Sequence, residues 1–514
     1  MNKKISNSIL YNVYPTSFYD SNGDGIGDLK GITEKLEYIK QFADIVWINP
    51  VFKSPFMDGG YDVEDYYAID EKFGTLQDVK ELTEKAHSLG LKIIFDLVVG
   101  HTSDKHKWFL ESKKSEKNEY SDRYIWSEGV FEECPYKHIS GTTERDANYL
   151  VNFFSFQPAL NYGFAKKTYD WQNLYTDEPC QKLHLEVINI IKFYIELGVD
   201  GFRVDLANSI VKDDKDGKCS CEVWQKIFST VRREYPEAIF IAEWGQPHLS
   251  VPNGDFDIDF LTHCYSDGYN RLFRKEVGTN VFKGDGDSFF RTKGMGEAKT
   301  FFEYFMKAFN AVKNKGYVSV VSGNHDLPRV ATRRNEAELK TVFAFVLALP
   351  TIPMIYYGDE IGIPQSDLKT KDGGYCRTGA RTPMQWTSGK NAGFSNTDKE
   401  LYLPVNQSYN TVNCEDLEKR QDSIINTVKA LVSFKREHLG ELSNDFEFEL
   451  ISDTYPLIFK RKKQDSEFIC IINPSNREYT VNIPETHKAV ISNNVDLKDG
   501  TAKMRETSFL WLIK

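Results

Sequence analysis

Several short apolar runs of the chain are followed directly by residues that could perform acid–base chemistry. Each run is typical of a buried strand, and the reactive side chains stand at or just after its carboxyl end. These side chains are Asp96 and His101, Arg203 and Asp205, Glu243, and His325 and Asp326. One acid at the end of a strand is an ordinary polar residue. Carboxylates, imidazoles and an arginine at successive strand ends indicate one shared pocket, because parallel strands of a barrel present their carboxyl ends at the same face.

Two of these carboxylates have the features that a retaining glycosidase needs, namely a nucleophile and a proton donor. The nucleophile must be ionised. Arg203 lies two residues before Asp205, on the same side of a strand by its period of two. The proton donor needs a more apolar setting, and Glu243 directly follows an apolar run. The pattern predicts cleavage of a glycosidic bond, with Asp326 as a third acid.

The elements that position these residues repeat between about residues 30 and 360 as amphipathic helix, turn and apolar strand. Strand runs lie at 45–48, 93–99, 201–205, 238–242, 317–321 and 353–356. Two of the helices end at Leu-Gly, as expected of a glycine in the left-handed conformation after the last turn. This alternation predicts an α/β fold, a (β/α)8 TIM barrel.

Two regions interrupt the repeat. Residues 101–178 follow the third strand and are polar, aromatic and irregular, which predicts an inserted subdomain. From about residue 445 short β-like runs predict a C-terminal antiparallel β domain. The expected boundaries are 1–100 and 179–440 for the catalytic barrel, 101–178 for the insertion and 441–514 for the C-terminal domain.

The strand-end motifs resemble the conserved segments of the α-amylase family, glycoside hydrolase family 13, and within it the oligo-1,6-glucosidase and α-glucosidase branch. The segments lie at 96–103, 201–205, 241–244 and 323–329, and the stretches 157–161 and 380–386 are also typical of the branch. The resemblance extends from about residue 8 to the C-terminus. It implies that Asp205 is the nucleophile, Glu243 the acid/base and Asp326 the acid that stabilises the transition state.

The resemblance also implies a small, neutral α-glucoside as substrate. The residues expected to contact it are Asp58, Tyr61, His101, Arg203, His325 and Arg381. Tyr61 would stack on the sugar ring, and the two histidines would hydrogen-bond its hydroxyls. Asp58 and Arg381 match a pair that closes the pocket behind the terminal sugar in exo-acting members. The expected activity is therefore removal of one glucose at a time from short α-glucans or disaccharides, through a covalent β-glucosyl-enzyme.

Four positions depart from the family pattern. Gly100 stands where many relatives carry the asparagine of an interdomain calcium site, so that site is not expected here. Ala159, Leu206 and Leu327 replace residues around the substrate, which leaves α-1,6 and α-1,4 preference open. A transglycosylase or a sucrose- or trehalose-type isomerase would use the same acids. An inactive carbohydrate-binding or transporter-associated homologue is disfavoured, because the catalytic acids are intact.

A separate loop at residues 20–28 places oxygen ligands at alternate positions, with glycine at the sixth, like the start of an EF-hand. The candidate ligands are Asp20, Asn22, Asp24, the carbonyl of Ile26, and Asp28. Position twelve is Gly31 instead of a bidentate glutamate, so the loop is not a full EF-hand. The resemblance implies a structural Ca²⁺, Mg²⁺ would fit nearly as well, and a metal-free turn is the alternative.

Composition narrows the partners and the compartment. The 514 residues carry a net charge of −11, which argues against nucleic acid as a partner. No apolar run is long enough to span a membrane, and no leader-like apolar stretch follows the N-terminal lysines. The eight scattered cysteines are typical of free thiols. We therefore expect a cytoplasmic protein without membrane partners, whose oligomeric state the sequence leaves open.

Overall fold

The computed structural model describes residues 5–262, 268–278, 283–373, 376–440 and 446–514. The central strands are β1 (Leu10–Val13), β2 (Ile45–Ile48), β3 (Lys92–Leu97), β4 (Gly201–Val204), β5 (Ile239–Ala242), β6 (Ile258–Leu261), β7 (Tyr317–Val320) and β8 (Met354–Tyr356). They form one parallel sheet in the order β7-β6-β5-β4-β3-β2-β1-β8. A parallel bridge from Val321 to Met354 joins the two ends of that order. The predicted (β/α)8 barrel is thereby confirmed.

Six of these strands lie where the sequence predicts them, whereas β1 and β6 are additional. Strand β6 has the sequence Ile258-Asp259-Phe260-Leu261, all four residues buried. An aspartate inside so short a run breaks the apolar pattern that marks a buried strand. The strand forms nevertheless, because hydrogen bonds to its carboxylate offset the cost of burial.

The helices begin and end at well-defined local signals. They lie at Leu29–Glu34, Leu36–Lys40, Leu76–Ser88, Lys107–Ser112, Glu178–Glu196, Lys218–Arg232, Pro247–Gly254, Tyr269–Phe273, Lys299–Val312, Glu336–Ala348, Cys414–Lys419 and Ile424–His438. Thr75 and Asp78 form a capping box at one N-terminus. Gly198 has a φ of 95° after the helix that precedes β4, as its Leu-Gly ending predicts. Among the described residues, no helix combines the length and apolarity needed to cross a membrane.

The described chain forms two compact units. The first contains residues up to 46, 260–370 and 376 onward, and the second contains 47–259 and 371–373. Strands β3, β4 and β5 lie in the second unit and pair directly, with Ile94 opposite Gly201 and Gly201 opposite Ile239. Their carboxyl ends therefore present side chains from neighbouring strands at one edge.

The insertion after β3 belongs to the second unit. It contains little regular structure beyond one short helix and the paired strands His138–Ile139 and Tyr149–Leu150. Its core is a small apolar cluster of Ile125, Leu150, Ala159 and Phe164. The predicted inserted subdomain is confirmed, while its boundaries stay a prediction.

The C-terminal residues form a six-stranded antiparallel sheet in the first unit. Its strands are β9 (Glu447–Ser452), β10 (Leu457–Lys463), β11 (Ser466–Asn473), β12 (Tyr479–Asn482), β13 (Lys488–Lys498) and β14 (Thr501–Ile513). One face buries a cluster that includes Ile469, Ile471, Leu510 and Leu512. The strand period of two explains why these residues alternate in sequence. The predicted C-terminal β domain is confirmed.

Candidate active site

Arg203, at the end of β4, joins three carboxylates in the second unit. Its Nη1 donates to Asp96 Oδ1 at 2.5 Å and to Asp205 Oδ1 at 3.0 Å. Its Nη2 lies 2.7 Å from Glu243 Oε2. Arg203, Asp96 and Asp205 are buried, whereas the Glu243 side chain is 23% exposed. One guanidinium therefore faces the acids of three neighbouring strands.

Asp205 carries a pKa well above its ordinary value. Burial is the largest cause, and the nearby charge of Glu243 adds to it, while Arg203 opposes both. The sequence places Arg203 beside Asp205 and therefore predicts that the carboxyl group of Asp205 is ionised. The structure places Glu243 close enough to share the same cation, so the ionised form of Asp205 is less favoured than Arg203 alone would make it.

Glu243 follows β5 and is held on one side of its carboxyl group. Its Oε2 accepts the N–H of Leu206 at 3.0 Å in addition to the ion pair with Arg203. Leu206 reaches it from a left-handed backbone conformation, with φ 45° and ψ 44°. Because Oε2 already faces two N–H groups, a proton that Glu243 delivers would be carried on Oε1.

Tyr61 lies against the same cluster and is 5% exposed. Its hydroxyl donates to Asp96 Oδ2 at 3.1 Å and accepts from Asn49 Nδ2 at 2.9 Å. Burial raises the pKa of Asp96 to about 6, although Arg203 opposes this shift. The phenol ring is thereby fixed in orientation by polar partners at its far end.

His101 is buried, with both ring nitrogens engaged within the protein. Its Nε2 donates to the carbonyl of Tyr61 at 2.9 Å, and its Nδ1 accepts from Asn152 Nδ2 at 3.2 Å. Burial lowers the pKa of His101 to about 4. Hydrogen bonding and burial both favour the neutral imidazole.

Asp58 is held by the inserted segment. Its Oδ2 accepts from Gln157 Nε2 at 2.7 Å, and Gln157 belongs to the stretch that resembles the subfamily signature. The backbone N–H of Asp58 donates to Asp62, whose pKa burial raises to about 6. The pairing of Asp58 with Arg381 stays a prediction.

Asp326 forms a second charged group, in the first unit. Its Oδ1 accepts from Arg377 at 2.8 Å and from Arg381 at 2.9 Å, and its Oδ2 lies 3.3 Å from His325 Nε2. Burial raises the pKa of Asp326, but the charges of His325, Arg377 and Arg381 outweigh it and hold the pKa well below the usual range. Arg381 also donates to Tyr14 and to the carbonyl of His325. Asp326 is thus a firmly ionised carboxylate.

Arg377 is a functional candidate that the strand-end pattern does not select. It lies four residues before Arg381 in the same irregular stretch, and that spacing is the available signal. Asp96, which the strand-end pattern does select, accepts a shorter hydrogen bond from Arg203 Nη1 than Asp205 does.

The loop at residues 20–28 uses its side chains locally. Asp20 accepts from the N–H groups of Gly23 and Gly25, and from Ser395. Asn22 and Asp24 each accept from a loop amide, and Asp28 caps the first helix through Gly31. Within the described ranges the structure forms no group of three or more His, Cys, Asp or Glu side chains that could hold a metal ion. The all-oxygen donor set still suits a hard cation, so metal binding stays a proposal.

In the second unit, the ends of neighbouring barrel strands bring two carboxylates, Asp205 and Glu243, onto one arginine, and a pair of carboxylates is what a retaining glycosidase uses. The family profile described as alpha amylase, catalytic domain, matches residues 12–445. The chain is 31% identical to an oligo-1,6-glucosidase of Parageobacillus thermoglucosidasius, covering 95% of this chain and 94% of that protein. It is 30% identical to a glucan 1,6-alpha-glucosidase of Streptococcus pneumoniae serotype 4, covering 96% and 95%.

A solved structure, the trehalulose synthase MutB of Pseudomonas mesoacidophila MX-45, shares the fold with a TM-score of 0.82. Its identity is 22%, and 99% of each chain is covered. The chain belongs to the alpha-amylase family. It is a glycoside hydrolase, a retaining α-glucoside hydrolase of the branch that the motifs resemble.

Proposed function

We propose that the enzyme is an exo-acting α-glucosidase that removes single glucose units from short α-glucans or disaccharides. The observation that carries the proposal is the cluster in which Arg203 contacts both Asp205 and Glu243. Similarity to oligo-1,6-glucosidase and glucan 1,6-alpha-glucosidase supports α-1,6-linked substrates. The resemblance of Asp58 and Arg381 to the pocket-closing pair supports exo action.

In the proposed reaction Asp205 attacks the anomeric carbon while the bond from that carbon to the departing oxygen breaks. Glu243 gives its proton to that oxygen. The product is a β-glucosyl ester of Asp205. Water then attacks the same carbon, Glu243 takes the proton from the water, and Asp205 leaves as a carboxylate. Asp326 is proposed to stabilise the positive charge of the transition state.

The contacts of the two acids fit this sequence. Oε2 of Glu243 already faces the N–H of Leu206 and Nη2 of Arg203, so Oε1 is the oxygen that is placed to carry the transferred proton. We propose that substrate binding leaves this proton on Glu243 Oε1. Asp205 is then the ionised nucleophile, with Arg203 as its remaining counter-ion.

Product analysis tests linkage and mode of action together. The purified enzyme is incubated with maltose, isomaltose, panose, sucrose, trehalose and starch, and products are separated over time. Glucose released singly from isomaltose and panose, with starch untouched, is the expected result. Products longer than the substrate would indicate transglycosylation, and conversion of sucrose or trehalose into another disaccharide would indicate isomerisation. Either outcome would replace hydrolysis as the main activity.

We also propose that the loop at residues 20–28 binds Ca²⁺ as a structural ion, through Asp20, Asn22, Asp24, Ile26 and Asp28. Its oxygen-rich donor set supports this. Metal analysis of dialysed protein, with melting measured with and without a chelator and with Mg²⁺ as the competing ion, tests it. A bound ion and a lower melting temperature in chelator are expected. A metal-free protein with unchanged melting would leave the loop as a hydrogen-bonded turn.

A cytoplasmic location is proposed from the cysteines. All seven cysteines in the described part of the chain are free thiols, and Cys264 lies outside that part. Unpaired thiols suit a reducing compartment. Fractionation of the source cells tests this, and activity found mainly outside the cytoplasm would contradict it.

A further inference from the structure

The three residues that follow Glu243 direct their backbone N–H groups to one buried carboxylate, that of Asp259 on β6. Asp259 Oδ1 accepts from Trp244 at 3.2 Å and from Gly245 at 3.1 Å, and Oδ2 accepts from Gln246 at 3.2 Å. The hydroxyl of Ser250 donates to Oδ2 at 2.6 Å. Asp259 is fully buried, so these donors offset the cost of burying its charge.

This arrangement fixes the backbone between β5 and the helix Pro247–Gly254. Gly245 has a φ of 75°, which turns the chain so that successive amides face the same carboxylate. Glu243 lies directly before the first of these amides. Its own N–H donates to the carbonyl of Val204 at 3.1 Å, and its carbonyl accepts from Ala207 at 3.2 Å. The position of the Glu243 Cα is therefore set by β4 on one side and by Asp259 on the other.

We propose that Asp259 is a positioning residue for proton transfer by Glu243, which rests on the proposed acid/base role of Glu243. Asp259 acts through the backbone, by accepting hydrogen bonds from the amides of residues 244–246. A general acid works only within hydrogen-bond reach of the oxygen that it protonates. Displacement of its carboxyl group by about 1 Å can cost on the order of 10²-fold in rate. The carboxylate of Asp259 prevents such a displacement by holding three consecutive amides.

The test compares substrates that differ in their need for a proton. Sugar leaving groups, as in isomaltose, require protonation, whereas 4-nitrophenol leaves with little help. In Asp259→Asn the side-chain amide presents a donor to groups that are themselves donors, so the loop should shift. The readout is kcat/KM, which reports the first chemical step, where the leaving group needs the proton. We expect kcat/KM to fall at least about 10-fold for isomaltose and less than about 3-fold for 4-nitrophenyl α-glucoside.

Asp257 provides the matched control. It is buried, it directly precedes β6, and its carboxylate accepts from the N–H of Phe240 at 2.9 Å and pairs with Arg232. Asp257→Asn removes an equally buried charge but leaves the amides of residues 244–246 untouched. It should lower stability without separating the two substrates.

Two further variants separate the positioning role of Asp259 from the acid/base role of Glu243. Ser250→Ala keeps the charge of Asp259 and removes one of its hydrogen-bond donors. We expect a smaller loss of the same selectivity between the two substrates. If Asp259→Asn does not fold, Ser250→Ala provides the test.

Glu243→Gln, measured in parallel, must show the selective loss. If it does not, the acid/base role of Glu243 is wrong. If it does, but the Asp259 and Ser250 variants slow both substrates equally, or Asp257→Asn shows the same selectivity, only the positioning role of Asp259 is overturned.

Discussion

Nη2 of Arg203 lies 2.7 Å from Oε2 of Glu243, so the cation that the sequence assigns to the nucleophile is shared with the proton donor. The same guanidinium bonds to Asp205 through Nη1. Burial and the charge of Glu243 raise the pKa of Asp205, and this shared cation opposes the shift. The chemistry proposed for the site therefore depends on the two separate Nη atoms of the Arg203 guanidinium.

Arg203→Lys should abolish most activity. A single ammonium cannot reproduce the separate contacts of Nη1 and Nη2, so the acids lose their common orientation. We expect kcat to fall by about 100-fold or more. Arg232→Lys is the control, because Arg232 also pairs with two carboxylates, Asp255 and Asp257, through separate nitrogens. A near-normal kcat in the Arg203→Lys variant would contradict the proposed role of the two guanidinium nitrogens.

Asp205→Asn should stabilise the protein at neutral pH while removing hydrolysis. The folded-state pKa of Asp205 is raised above its unfolded value of roughly 3.9, so ionisation favours unfolding as pH rises between the two. Asparagine does not ionise, and its advantage should shrink to zero as pH falls toward about 4. We expect a melting temperature higher by about 1–3 °C at pH 7, measured by calorimetry across pH.

The exposed Asp422, with a side chain 85% accessible, is the control for that experiment. Asp422→Asn should leave the melting temperature unchanged at every pH. A pH-independent effect of Asp205→Asn, or a destabilised variant at pH 7, would show that burial does not raise the pKa of Asp205 as described.

Arg377→Met should lower the free energy of unfolding at neutral pH, an effect opposite in sign to that of Asp205→Asn. The pKa of Asp326 is held below its unfolded value, so its ionisation stabilises the fold above that value, and this stability is lost as pH falls through the folded pKa. Loss of Arg377 should cost about 1–3 kcal/mol at pH 7, because Arg381 and His325 remain. The deficit should narrow in acid, as measured by urea unfolding at several pH values.

Arg420→Met serves as its comparison, since Arg420 pairs with Glu336 at a half-exposed position. That substitution should cost about 0–1 kcal/mol. An equal cost for both arginines, without pH dependence, would contradict the account of Asp326.

Gln157→Leu should raise KM with little change in kcat. It removes the amide that donates to Asp58 Oδ2 at 2.7 Å, so a residue proposed to bind the terminal sugar loses its orientation. We expect KM for isomaltose to rise about 10-fold and kcat to change less than about 3-fold. Gln157→Glu, which sets a second carboxylate against Asp58, should raise KM further. An unchanged KM in both variants would remove Asp58 from substrate binding.

The sequence by itself determines the barrel, because helix and strand periods are local properties of the chain. Strands β3, β4 and β5 end at Leu97, Val204 and Ala242, each next to a residue with reactive chemistry, and the carboxyl ends of parallel strands share one edge. The same logic identifies the acids without any knowledge of their contacts.

Only the tertiary structure decides which charges surround those acids and which contacts hold them. The competition of Asp205 and Glu243 for Arg203, and the neutral state of His101, follow from burial and from distances between residues far apart in sequence. Asp259 illustrates the limit most clearly, because an aspartate inside a strand reads as a break in the pattern. Its role depends on the backbone amides of residues 244–246, and the local sequence pattern contains no signal for a contact between two separate segments.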